Sequence, residues 1–158
     1  ASQLAESMAF TTRMQRDRPT IKNIIFGGDC NWDDTKTKRR KVYADGDMGA
    51  LLTQDFATWK DSWHAFHPAS VSNTDEENGY TYDCKVNDML SSKGSLRRRF
   101  DRILFNDCNV LKPAHGSVVI PPPIPGIQRP IKKWNSQVID RYLPVTASDH
   151  FGLVVEFK

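Results

Sequence analysis

The sequence predicts an α/β chain of the α+β kind, a β-sheet with helices packed on one face. Three observations carry this. The 158 residues, 39% apolar and 26% charged, match one globular domain with a sizeable core rather than a disordered tail. The apolar patterning runs helix, strand, helix and then several strands, an order that sets helices against one face of a sheet. Polar residues stand where strands meet loops, at Asp29 and Asn31, at Asp101, and at Asp149 with His150. Strand ends are rigid, and the loops there reach a ligand.

The elements follow in order. Residues 2–16 predict a helix, because Leu4 and Met8 stand four apart, as do Phe10 and Met14, and Pro19 stops it. IKNIIFGGD, residues 21–29, is a β-branched run ending in glycines, a buried strand entering a loop. The charged stretch 33–47 is a surface loop. Helical spacing returns at 48–59 through Met48, Leu51, Leu52 and Phe56. DSWHAF, residues 61–66, reads as a strand, 68–79 as a polar loop, YTYD at 80–83 as a short β segment and SSKGS at 91–95 as a turn. RRFDRILF at 98–105 alternates as a strand does, VLKPAHGSVVI at 110–120 reads as another, and HFGLVVEFK is the last. Between them, the prolines of 121–134 remove backbone donors and fix φ, so this stretch reads as a long connection without regular structure.

Bulk properties narrow the class. A net charge of +3 permits an anionic partner without demanding one. Cys30, Cys84 and Cys108 are an odd number without metal-ligand spacing, which predicts reduced thiols in an intracellular protein. No apolar run approaches the roughly 20 residues that span a bilayer, and no signal peptide is evident, so no membrane partner is expected.

The strand-end residues carry the chemistry. In GGDCNW, residues 27–32, a carboxylate and an amide two apart on an extended segment point the same way, after two glycines that let the backbone turn or approach a ligand. Two readings stand side by side: an Asx-turn, or a pair that activates water, holds a hard cation or binds a phosphate oxygen. Asp101 sits in an apolar strand, where an ionised carboxylate needs a partner. That partner is an arginine, or a histidine that Asp101 orients. Arg97, Arg98 and Arg99 face phosphates or form a solvated surface. At the mouth of the final strand, Asp149 points to the opposite face from His150, which leaves Asp101 as His150's candidate partner. His64, His67 and His115 read as structural.

IIFGGDCNWDD, GYTYDCKVNDML, RRRFDRIL and SDHFGL occur in an order that resembles the endonuclease/exonuclease/phosphatase superfamily, the DNase I-like phosphodiesterases. They are most similar to its branch acting on 5′-tyrosyl-DNA. The resemblance implies the C-terminal half of a four-layer α/β/β/α sandwich across residues 1–158, with a mixed, mainly antiparallel sheet. It implies Mg²⁺-dependent hydrolysis of 5′-phosphotyrosyl-DNA bonds, with Mn²⁺ as the alternative ion. Asp29 then helps activate water and Asn31 holds it or the phosphate. His150, paired with Asp101, stabilises the transition state. Tyr82 and Trp32 line the floor under the DNA end, and Asp149 lies near the metal's water shell. Asp33 stands where several relatives carry an arginine.

The family's first half supplies its principal metal-ligand glutamate, and no counterpart is expected in this chain. A complementing N-terminal half, as a missing segment or a second chain, is therefore the expected partner beside DNA 5′ ends, and the chain alone is expected to be inactive. A lone half-sandwich would also expose its inner apolar face. Nucleus or cytoplasm is the expected location. The alternatives are another phosphodiesterase or nuclease of the superfamily, and a non-catalytic fragment that binds nucleic acid or a partner.

Overall fold

The computed structural model describes residues 2–31, 56–67, 79–90, 96–106, 110–130 and 142–158. Helix α1 spans Ser2–Asp17 and helix α2 spans Ser62–Phe66. The strands are β1 (Ile25–Asp29), β2 (Trp59–Asp61), β3 (Tyr82–Asp83), β4 (Arg97–Arg98), β5 (Asp101–Asn106), β6 (Pro113–Val119), β7 (Gln128–Pro130), β8 (Tyr142–Pro144) and β9 (Gly152–Phe157). They pair antiparallel as a three-stranded sheet, β1-β5-β2, and three two-stranded ladders, β3-β4, β6-β9 and β7-β8. The chain is thus an α+β protein. Among the described residues, no helix is long and apolar enough to cross a membrane.

One stripe of α1 makes the core. Met8 on α1 is buried with Trp59 of β2 and Leu104 of β5, and Leu4, Ile24, Phe26 and Phe56 pack around them. The second expected stripe does not join it, for Phe10 remains 55% exposed. Two residues on, it lies about 200° around the helix from Met8. Apolar side chains also remain exposed at Ile25 of β1, Val119 of β6 and Val154 of β9.

Four segments differ from their sequence reading. One is 21–29, expected as a buried strand, where β1 covers only Ile25–Asp29 and is exposed at all but Phe26. DSWHAF is not a strand. Only Asp61 extends β2, and its carboxylate accepts the Trp63 amide at 3.0 Å as the N-cap of α2. An aspartate there satisfies a helix-end amide that an extended chain would send elsewhere. The helical reading of 48–59 falls outside the described residues up to 55, and its end is a turn leading into β2 at Trp59. The proline-rich stretch holds a short strand after all. Gln128–Pro130 pairs with Tyr142–Pro144, because proline is tolerated at the edge of so brief a ladder.

The arginine run also turns inward. Arg99 and Arg102 are 1% and 0% exposed, and both grip the buried Asp61, at 2.9 and 2.8 Å. Alternation along β5 explains this, since Arg102 and Leu104 share a face and Leu104 stands opposite Asp61. Arg99 also lies 2.9 Å from His64 Nε2. Arg97 pairs with the buried Asp83 at 2.7 Å and its guanidinium lies over the Tyr80 ring. His67 stacks on Trp63 at 4.5 Å.

Gly79 closes this region against α2. Its φ is +61°, and a Cβ there would come 2.4 Å from the buried Trp63 indole. Gly79→Ala is therefore expected to destabilise the chain by about 1–3 kcal/mol through overpacking, with the left-handed backbone adding strain. Urea unfolding followed by tryptophan fluorescence measures it, and an unchanged midpoint would contradict this packing.

Candidate active site

The site begins with register. In the β1–β5 ladder, Asp29 stands directly opposite Asp101. Two carboxylates facing each other across a ladder repel unless a positive charge or donor joins them. A donor is present, for His150 Nδ1 lies 2.8 Å from Asp101 Oδ2. An ionised carboxylate only accepts, so Nδ1 carries the hydrogen and Nε2 is left to act on a ligand. Ligand-capable atoms of Asp29, Asp101 and His150 all lie within 4.8 Å of one another.

Asp29 and Asn31 interlock. Asp29 Oδ1 accepts the Asn31 backbone amide at 2.8 Å, and Oδ2 accepts the Asn31 side-chain amide at 3.1 Å. The Asx-turn reading therefore describes the local geometry, and the turn delivers the same two side chains to the Asp101 strand end. The turn is not made at the glycines. Gly27 and Gly28 lie inside β1, and the left-handed residue is Asn31, with φ 48°. Asparagine tolerates that conformation better than most residues with a side chain.

The other anticipated residues divide. Tyr82 is at the site, its ring edge-on to His150 at 5.3 Å, and Phe100 lies 5.9 Å from the same ring. Burial, then Cys84 and Asp149, push the Tyr82 phenol above its ordinary pKa, so it stays neutral at physiological pH. Asp149 is exposed and stands outside the group of three, and its backbone carbonyl accepts Asn87 Nδ2 at 2.9 Å. Trp32 and Asp33 lie outside the described residues. Cys30 and Cys84 are in no disulfide, and Cys108 lies outside the described residues. Burial pushes the Cys30 thiol up to about 11; Arg102 opposes this and nearby carboxylates add to it. That makes Cys30 a poor nucleophile at neutral pH.

Sequence reasoning missed Thr81 and Asn87, both buried beside the site. Asn87 holds the Ser148–His150 turn through the Asp149 carbonyl, and Ser148 Oγ accepts the His150 amide at 3.0 Å. Thr81 joins the segments that carry Asp101 and His150. The available signal for Thr81 was a hydroxyl inside the short YTYD segment, where a buried polar group must find partners; Asn87 stands four residues beyond that segment.

No protein-family model matches the sequence, and no curated protein matches it significantly. Among solved structures, the chain is similar to truncated TDP2 of Caenorhabditis elegans, with 19% identity and a TM-score of 0.48, covering 96% of this chain and 44% of that one. It is similar also to TDP2 of D. rerio complexed with single-stranded DNA product, with 20% identity and a TM-score of 0.48, covering 100% of this chain and 52% of that one. The chain spans about half the length of these structures.

Proposed function

We propose that residues 1–158 form the C-terminal half of a divalent-cation-dependent phosphodiesterase domain that hydrolyses phosphotyrosyl bonds at DNA 5′ ends. The observation that carries this is the Asp101–His150 pair at 2.8 Å beside the Asp29–Asn31 turn. The ordered motifs of the sequence support the substrate class.

The donor set fits a divalent ion. Asp29 and Asp101 offer two opposed carboxylates that a cation would relieve, and Mg²⁺ binds through one or two carboxylates while keeping waters. When bound, the ion neutralises charge on the phosphate. Asp29 accepts a proton from the attacking water, and the Asn31 amide orients that water or a phosphate oxygen. His150 in its protonated form donates from Nε2 to the phosphoryl oxygens while Asp101 holds Nδ1–H. Tyr82, with Phe100 behind it, presents an aromatic face on which a terminal base stacks. The sequence resemblance assigns Trp32 to substrate binding as well, and Asp149 would act on a bound ion only through its waters. The principal metal carboxylate belongs to a complementing N-terminal half, and an intracellular location, nuclear or cytoplasmic, fits a DNA substrate.

The test is hydrolysis of a 5′-phosphotyrosyl oligonucleotide with Mg²⁺, by the chain alone and with a complementing half. Turnover only in the complemented mixture is expected. Preference for an abasic duplex, poly(A) or an inositol phosphate would reassign the substrate. No turnover of any of them would favour a non-catalytic fragment and reject the proposal.

A further inference from the structure

Asp101 and His150 are 49 residues apart in the chain. Asp101 opens β5 of the three-stranded sheet, whereas His150 precedes β9 of a separate ladder. Their side chains remain 24% and 20% exposed, so water competes for the bond between them. A short bond in that setting requires two backbones held in place from behind.

One residue does this. Thr81 is fully buried, and its Oγ1 accepts the Phe100 amide at 3.1 Å and the Asp101 amide at 3.0 Å. Its carbonyl accepts the Phe151 amide at 2.7 Å, and its own amide donates to Arg98 at 3.0 Å. Thr81 thus fastens the backbone at Asp101 and immediately after His150. Threonine suits the task because a hydroxyl oxygen has two lone pairs for the two amides, and a β-branched side chain is stiff at χ1.

We infer that Thr81 is a positioning residue, setting the distance between Asp101 and His150 without touching substrate. The kinetic part of this inference rests on the phosphodiesterase reading, and the geometric part does not. Thr81→Val keeps the shape and removes the acceptor, so the Phe100 and Asp101 amides must seek other partners and the strand end shifts. Thr81→Ser keeps the acceptor.

The test is proton NMR of the 158-residue chain. The exchange-protected His150 Nδ1–H resonance, assigned by its loss in His150→Ala, is expected in the parent chain and in Thr81→Ser. It is expected to vanish in Thr81→Val while the amide spectrum stays dispersed. A role in packing alone would lower the melting temperature and leave that resonance in place. In the complemented enzyme, Thr81→Val should lower kcat by roughly 10²-fold with KM unchanged, as a displacement near 1 Å does, and serine should restore it. If valine does not fold, Thr81→Ala is read the same way. Persistence of the resonance in a folded acceptor-free variant overturns the inference. Its loss there, when the complemented parent enzyme hydrolyses no phosphodiester, supports Thr81's role and sinks the phosphodiesterase reading.

Discussion

Asp61→Asn should destabilise the chain by about 3–5 kcal/mol, the usual cost of removing one partner from a buried ion pair. Asp61 is 7% exposed and is the shared counter-ion of two buried guanidiniums, Arg99 and Arg102. It also caps α2 through the Trp63 amide. Asparagine keeps the volume and can still cap, so the loss isolates the charge. Because net stabilities are about 5–15 kcal/mol, such a loss consumes a large fraction of the whole. Urea unfolding read by fluorescence of the buried Trp59 and Trp63 measures it. Asp17→Asn, in an exposed pair with Arg16, should stay within about 0.5 kcal/mol of the parent. A shift for Asp61→Asn no larger than that control's would mean the guanidiniums are compensated by other groups.

The same group sets a pH dependence. Burial pushes the Asp61 pKa up, but Arg99 and Arg102 outweigh burial and hold it below its ordinary value of 3.8. A carboxyl depressed in the folded state contributes stability that is fully present above its unfolded pKa. That stability is lost as pH falls through the folded value. Acid titration should therefore erode stability below about pH 4, where unfolded aspartates begin to take up protons. Asp61→Asn should lack that part of the slope.

His150→Ala should lower the rate of the chemical step by about 10²–10³, or about 2.7–4 kcal/mol, the effect of losing one transition-state donor. The reason is its geometry. Asp101 holds Nδ1; on the proposed phosphodiesterase reading, Nε2 is thereby left to meet charge that develops on phosphoryl oxygens only as the bond breaks. Substrate binding should change little, because the aromatic face of Tyr82 and Phe100 remains. Single-turnover hydrolysis in the complemented enzyme gives the rate, and fluorescence anisotropy of a labelled oligonucleotide gives the affinity. Equal losses in both would assign His150 to ground-state binding instead. The fold should survive, since the ring is partly exposed and outside the Met8–Trp59–Leu104 core. The two substitutions should thus separate, Asp61→Asn in stability and His150→Ala in the rate of the proposed reaction.

Periodicity made some of this chain legible. The four-residue spacing of Leu4 and Met8 marks α1, and apolar alternation marks β5 and β9, because burial of one face imposes those periods directly. Alternation also turned attention from Asp149 to Asp101 as the group facing His150. Shorter elements lay below that resolution. Five residues from Ser62 to Phe66 hold hardly more than one helical turn, too little for a period, and only the Asp61 cap marked them.

The sequence by itself determined the α+β class, the main strands and which polar residues stand at their ends. The tertiary structure alone decided what those polar residues meet. Arg99 read as part of a charged run, yet Asp61, 38 residues away, draws it inside together with Arg102, 41 residues from the same carboxylate. Thr81 lies within a quoted motif, but nothing in that motif announces its role, which exists only because amides 19 and 20 residues later converge on its hydroxyl. Local periodicity reports which face of an element is buried. A buried polar group reports only that a partner is required, and the partner's identity is a property of register and packing between distant segments.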